Sequence, residues 1–426
     1  MTRLSDSENG EKAITQPSIL YVVPDRDPCS ETAVEAVFSR YLPSAGFRVD
    51  FLMPAIGPRK WGSGIPWNGA CVYLYWLPRS LPLPARLAGS AIAMASAAAR
   101  LVGLASRRGY DLVVARDEVF LGLVCLAVAR VRGCRFAYQY TFDKAAASLL
   151  AAERRSAGII RLAVVLRARL RSSIQARLLA RADLVIAMSD YHRARLIERG
   201  LACRRVHVLS MGVNPEAGVN AQADGALIRR QLELGGAPTV VYVGTMSRAR
   251  RLDVLLDAVE QLRRGMPQGV KLVMVGADPG DGGIQFLVAH AVRLGIDSDV
   301  LFVGRKPIEK VPAYIAASDV GVSPIPEEDL FMMSSPTKAL EYLNVGRPAV
   351  VTRIPDQEEL VHASGGGVVV RFDAASIAHG LHSLLTNTES ARRMGRSGRE
   401  YVQARRAYAI LAARLAERLR RLLKDR

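Results

Sequence analysis

The stretch SSPTKALEYLNVGRPAVV, residues 334–351, sets a lysine and a glutamate, Lys338 and Glu341, three residues apart. On a helix that spacing is about one turn, so both side chains share a face. Pro336 suits a first-turn position and Gly346 a residue just past a helix end, which bounds a short helix that runs straight into a strand. A surface ion pair would fit the spacing and contribute little. The neighbourhood argues for chemistry instead.

A second constellation lies earlier in the chain. YVGTMSRARRLD (242–253) reads as strand, glycine turn, basic cluster and helix. Gly244 permits close backbone approach, and the helix that follows offers unpaired N–H groups to an anion. Arg248, Arg250 and Arg251 add charge-assisted contacts of the kind a pyrophosphate takes. Gly276 in MVGAD and Gly304 in FVGRKP repeat the strand-then-glycine pattern. Each alone is a turn; three at the ends of successive strands point to a ligand-lined sheet edge.

The elements that must position these residues alternate between strand-like apolar runs and helical patterns, twice over. SILYVVP (18–24), FRVDFLMP (47–54), DLVVAR (111–116), RFAYQYT (135–141), DLVIAMS (183–189) and RVHVLSMGV (205–213) form the first cycle. TVVYVGTMS (239–247), KLVMVGAD (271–278), VLFVGR (300–305), DVGVSPI (319–325), PAVVTR (348–353) and GGVVVRF (366–372) form the second. The spacing predicts a flexible start over 1–16, a first α/β domain over 17–213 and a polar, turn-rich link over 214–238. A second α/β domain over 239–390 and C-terminal helices over 391–426, packing back toward the N-terminal domain, complete it. Two such halves imply a cleft between them as the site.

Composition narrows the classes. The chain has 426 residues, half of them hydrophobic, which is enough for two cores. Five cysteines without close spacing read as reduced structural thiols in an intracellular protein, with no zinc site. MTRLSDSENGEK at the start has no apolar core for export. LAGSAIAMASAAA (87–99), bounded by Arg86 and Arg100, falls short of the ~20 residues of a spanning helix and reads as buried. A net charge of +18 suits polyanions: nucleic acid, anionic membrane or phosphate-bearing substrates. No nucleic-acid module is recognisable, so nucleic acid is not an expected partner. The last helix, 405–426, carries Tyr408, Leu411, Leu415, Leu419 and Leu422 on one stripe and reads as amphipathic, able either to lie on lipid or to pack on a domain. The Arg-rich segment 154–181 spreads its arginines and aliphatics around the helical wheel and shows no basic face.

From about residue 18 to 400 the chain resembles the retaining GT-B glycosyltransferases of the family-4, group 1 type. YVGTMS…RRLDVLLDAVEQL, KLVMVGADP, LFVGRKPIEKVPAYIAASDVGVSPIP and SSPTKALEYLNVGRPAVV are similar to its donor domain. ADLVIAMSDYHRARLIERG…RVHVLSMGVN (182–214) is similar to the end of its acceptor domain. The resemblance implies two Rossmann-like parallel-sheet domains facing a central cleft. It further implies transfer of a sugar from a nucleotide-diphosphate sugar to a glycan, lipid-linked or small-molecule acceptor, with retention of configuration. Glu341 would grip the ribose hydroxyls. Lys338 with Arg250 or Arg251 would stabilise the departing diphosphate, so that neither metal nor cofactor is required. Gly244, Thr245, Gly276, Arg305, Pro336 and Thr337 would complete the donor site, and Asp143 would stand on the acceptor side.

The chain departs from that family where its usual paired acid would fall, at Met333, and where FAYQYTFDK (136–144) shows no histidine before Asp143. The first-strand loop VVPDRDPCSET (22–32) also lacks a Gly-rich turn. Two other readings stay open: a UDP-sugar 2-epimerase-like GT-B enzyme, and a degenerate glycosyltransferase acting as a binding subunit. A nicotinamide-dependent enzyme is disfavoured, because no G-x-G-x-x-G follows the first strand. Together with the charge, the resemblance implies a cytoplasmic protein, peripheral at the inner face of the plasma membrane.

Overall fold

The computed structural model describes residues 16–24, 33–56, 64–77, 83–153, 158–219 and 221–425. The expected start over 1–16 and most of the 22–32 loop lie outside these. Two sheets carry the fold. Among the described residues the first has eight strands, in the order β3 (Ile65–Trp67), β4 (Ala70–Leu77), β2 (Arg48–Ile56), β1 (Ser18–Val22), β5 (Leu112–Arg116), β6 (Arg135–Tyr140), β7 (Leu184–Ala187) and β8 (Val206–Val208). The second has six, in the order β11 (Val300–Gly304), β10 (Lys271–Val275), β9 (Thr239–Val243), β12 (Val320–Ser323), β13 (Ala349–Thr352) and β14 (Gly367–Val370). The described pairings are parallel except for β3 (Ile65–Trp67) against β4 (Ala70–Leu77). That hairpin was not among the expected strands. Its Asn68-Gly69 turn has positive φ at both residues (51° and 106°), the chemistry that closes a tight hairpin.

Strand order reverses between β1 and β5 (Leu112–Arg116) in the first sheet, and between β9 and β12 (Val320–Ser323) in the second. At such a point neighbouring crossover helices leave on opposite faces and open a crevice beyond the strand carboxyl ends. The inner strands are buried and rich in Val, Ile and Leu, as parallel sheets covered on both faces require, while the edge strands β3, β11 and β14 are more exposed.

Two segments differ from the sequence expectation, and a third, the terminal helix, takes the expected place against the first domain. The run 87–99 belongs to a longer helix, Leu83–Arg108, which buries Ala93, Ala97 and Leu101 but leaves Ile92 and Val102 exposed. The expected link holds a helix, Ala221–Gln231, and Ala221 and Leu234 enter the second domain's core. The terminal helix Tyr408–Lys424 returns to the first domain, where Tyr408, Leu411, Leu415, Leu419 and Leu422 pack with Phe38, Phe47 and Phe51. Its apolar stripe is therefore core and is not available to lipid. Leu415 is fully buried. Leu415→Ala should lower unfolding free energy by about 2–5 kcal/mol in urea titrations followed by circular dichroism. A change within about 0.5 kcal/mol, the surface range, would contradict this packing.

Candidate active site

The helix Thr337–Asn344 is seated on the second sheet by Tyr342. The Tyr342 hydroxyl accepts from the Val243 N–H (3.0 Å) and donates to the Val322 carbonyl (3.0 Å). It thus bridges β9 and β12, the two strands that flank the reversal. Gly321 leaves room for the ring, since a Cβ there would stand 2.2 Å from it. With the helix so fixed, Lys338 lies against Gly244 at the carboxyl end of β9 and lines the cavity, whereas Glu341, one turn further on, is not among its lining residues. Pro336 is the residue before the helix and no side chain caps the end, so its first N–H groups open toward the cleft. Gly346 follows the C-terminus with φ +82°, as expected.

Gly244 and Gly276 make space for this arrangement. A Cβ on Gly244 (φ +146°) would lie 2.6 Å from Cε of Lys338, and one on Gly276 (φ +153°) would lie 1.8 Å from the Gly244 carbonyl oxygen. Any side chain at either position would displace the lysine or the strand end. The Lys338 ammonium rests 5.6 Å from the Tyr242 ring centroid. The Arg250 guanidinium lies 5.0 Å from the Phe331 ring centroid. Among the described residues neither cation forms an ion pair. Burial lowers Lys338 to a pKa of about 7, and nearby Arg250 adds to the effect while Glu341 opposes it. Burial raises Glu341 to about 7, against the pull of Lys338 and the hydrogen bond from Thr337.

The structure separates the remaining expected residues. Arg251 takes a left-handed φ of +49° and turns to Asp253 (3.3 Å), so of the two arginines only Arg250 lines the cleft. Thr245 is exposed just past Gly244, and its carbonyl accepts from the Tyr242 hydroxyl (2.8 Å). Arg305 stands exposed beyond β11 (Val300–Gly304), the outer strand, and does not line the cavity.

A cavity of about 580 Å³ joins the domains, with Arg250, Pro336, Thr337 and Lys338 on one wall and Arg116, Asp117, Thr141 and Asp143 on the other. Asp143 is occupied structurally. Its carboxylate accepts from the Ala145 and Ala146 N–H groups (3.0 and 2.8 Å), capping the helix Lys144–Glu153, and from the Tyr140 hydroxyl (2.8 Å). Asp117, buried with φ +51°, accepts from the N–H groups of Thr141 (2.7 Å) and Phe142 (3.3 Å). Burial raises its pKa despite Arg116 and those hydrogen bonds.

Sequence reasoning passed over His192, which also lines the cavity and stacks edge-on to Tyr140. Burial and Arg199 lower its pKa to about 4, so it is neutral. Ser189, its helix cap, donates to the Met333 carbonyl of the other domain (3.0 Å). The Ser335 hydroxyl accepts from the Met211 N–H (2.9 Å) and donates to Asp356 (2.7 Å), which pairs with buried Arg406 (2.7 Å). The cap serine was legible locally; its partner 144 residues away was not.

Residues 36–217 match the family model described as Glycosyltransferase Family 4, and residues 237–387 match that described as Glycosyl transferases group 1. The chain belongs to the group 1 GT-B glycosyltransferases. Among the curated relatives of this glycosyltransferase is a Mycobacterium tuberculosis protein named GDP-mannose-dependent alpha-(1-6)-phosphatidylinositol monomannoside mannosyltransferase. The two are 29% identical over 56% of this chain and 62% of that one. A Nocardia farcinica D-inositol 3-phosphate glycosyltransferase is 28% identical over 51% of this chain and 48% of its own. The chain thus spans about half to three fifths of the length of these relatives. In fold the glycosyltransferase is similar to sucrose-phosphate synthase from Thermosynechococcus elongatus (TM-score 0.72, 20% identity, 96% of this chain and 100% of that one). It is also similar to Anabaena HepE, solved with UDP (TM-score 0.68, 17% identity, 94% and 99%).

The two shifted groups oppose each other in pH. Lys338 has a lower pKa folded than unfolded, so unfolding takes up a proton and the lysine adds stability as pH rises from about 7 toward its ordinary 10.5. Glu341 is raised on folding, so it removes stability as pH rises from 4.5 to about 7. Lys338→Met should therefore melt no lower than the parent near pH 7. It should bind UDP or GDP about 10- to 100-fold more weakly, the contribution of one charge-assisted hydrogen bond. Scanning calorimetry with and without nucleotide checks both. A lower melting temperature would make the lysine a structural residue.

Proposed function

We propose that this protein transfers a sugar from a nucleoside-diphosphate sugar to a glycan, lipid-linked or small-molecule acceptor, with retention of anomeric configuration and without a metal or other cofactor. One observation carries the reading. Two cations that form no ion pair among the described residues, Lys338 and Arg250, converge with an uncapped helix start at the crevice where strand order reverses. That is a site for a diphosphate. Glu341, one turn further on, accepts the adjacent ribose hydroxyls, and Lys338 and Arg250 neutralise the charge that grows on the leaving group.

The acceptor wall supports retention. The carboxylates among the described lining residues are Asp117 and Asp143, and both are taken up by backbone N–H groups. Neither is free to deprotonate an acceptor from the opposite face. In the reading proposed, the bond from the anomeric carbon to the phosphate oxygen breaks and the acceptor oxygen bonds to the same face. The acceptor's hydroxyl proton passes to the departing phosphate oxygen.

The acceptor is placed at the cytoplasmic face of an anionic membrane. The net charge of +18 favours that surface, at ~1 kcal/mol per basic residue close to it. A relative whose printed name includes a phosphatidylinositol acceptor agrees with it. Among the described residues no helix is long and apolar enough to cross a membrane, so contact would be peripheral.

Glu341→Ala should keep the parent's circular dichroism and lose at least about tenfold in UDP or GDP affinity by calorimetry, the range of a charge-assisted hydrogen bond. Unchanged affinity would remove Glu341 from the site. Transfer should survive EDTA, and NMR of the product should show the donor's anomeric configuration. Activity that stops with EDTA and returns with Mg²⁺ or Mn²⁺, or an inverted product, would overturn the mechanism.

A further inference from the structure

The helix Ile159–Arg181 carries an apolar face that the fold does not use. Ala168, Ile174, Leu178 and Leu179 face the first domain and are buried. On the opposite side Leu162, Leu166 and Leu170, at i, i+4 and i+8, are 59%, 56% and 54% exposed. Among the described residues no other helix displays three large aliphatic side chains in such a row. A stripe of this kind on a surface helix marks an interaction site.

Its position follows from one hydrogen bond. Arg171 Nη2 donates to the carbonyl of Asp117 (2.7 Å), the first residue past β5 and a cavity-lining residue. Leu178, seven residues later, lies against the Gly122 position and Tyr138 beside the sheet. The residues before Arg171 therefore extend past the carboxyl edge of the sheet, by up to about 18 Å at 1.5 Å per residue. The leucine row sits at the cleft end of the first domain.

The charge around the row selects the occupant. This helix holds six arginines and no acidic residue. Arg167, Arg169 and Arg177 are exposed and form no ion pair among the described residues. A second copy seated on the same face would bring six more arginines against these, which like-charge repulsion opposes. An anionic lipid surface complements them, and its acyl boundary accepts leucine.

We propose that Leu162, Leu166 and Leu170, rimmed by Arg167, Arg169 and Arg177, form the surface that docks this protein on an anionic bilayer, holding the cleft mouth at the membrane so that a lipid-linked acceptor enters without leaving it. The proposal rests on the membrane reading above and names the face that performs it.

Sedimentation with phosphatidylglycerol-containing and pure phosphatidylcholine vesicles tests it. The parent should pellet with the former only, and 0.5 M salt should weaken binding (about 4 Å of screening length against about 8 Å at physiological strength). The combined variant Leu162→Ser, Leu166→Ser and Leu170→Ser should require at least about tenfold more lipid for half-binding. It should keep the parent's melting temperature and its stabilisation by UDP or GDP. Val288→Ser with Val292→Ser, removing exposed valines of the second domain, should pellet like the parent. A parent that ignores anionic vesicles would end the membrane reading and this proposal with it. A parent that pellets together with an equally pelleting leucine variant would overturn the assignment alone. Light scattering that shows a dimeric parent and a monomeric variant would give the face to a second copy, and also overturn it.

Discussion

Lys338 and Arg250 face the same cleft, and among the described residues neither forms an ion pair, although Glu341 one turn away partly offsets the lysine's charge. A buried ammonium beside a guanidinium is unfavourable, and the cost shows as a lysine pKa drawn down to about 7. The surrounding structure enforces this juxtaposition. Tyr342 fixes the helix to both strands of the reversal, Gly244 gives up its side chain to the lysine stem, and Gly276 lets the neighbouring strand end approach. An anion entering the site relieves the repulsion, satisfies the uncapped N–H groups and favours the charged lysine.

The opposite wall uses its acids differently. Asp143, which the resemblance put on the acceptor side, and Asp117, first seen in the folded chain, each hold a loop or helix start in place. Their work is to shape the cavity. The Ser189 hydroxyl ties the first domain to Met333, and the Ser335–Asp356–Arg406 chain links the loop before Lys338 to the turn that precedes the terminal helix. Arg406 also joins the two interdomain crossings, since its carbonyl accepts from the Val213 N–H (2.9 Å). Breaking the Asp356–Arg406 pair would leave a buried charge unpaired, so the pair helps hold the loop before Lys338 against the turn that precedes the terminal helix.

Sequence alone determined the twofold α/β pattern, because buried parallel strands must be short runs of β-branched and aliphatic residues. It also determined the pairing of Lys338 with Glu341, because i, i+3 spacing on any helix puts both on one face. The Gly244–Arg250 turn was legible for a similar reason: glycine after a strand and a basic cluster before a helix have local meaning. What stayed open were choices between locally equivalent residues. Arg250 and Arg251 are adjacent and chemically identical, and only the left-handed backbone of Arg251 sends one into the cleft and the other to Asp253. Asp143 fits a cap or a catalyst equally well until the helix behind it is seen. The terminal helix and the helix Ile159–Arg181 show the limit most clearly. The first has a clean leucine stripe that suits a lipid face or a domain core alike, and it packs with Phe38, Phe47 and Phe51; the second spreads arginines and aliphatics around its wheel, and tertiary packing covers one side. Periodicity reports which face is apolar. What covers that face is set by contacts hundreds of residues apart, and those exist only in the folded chain.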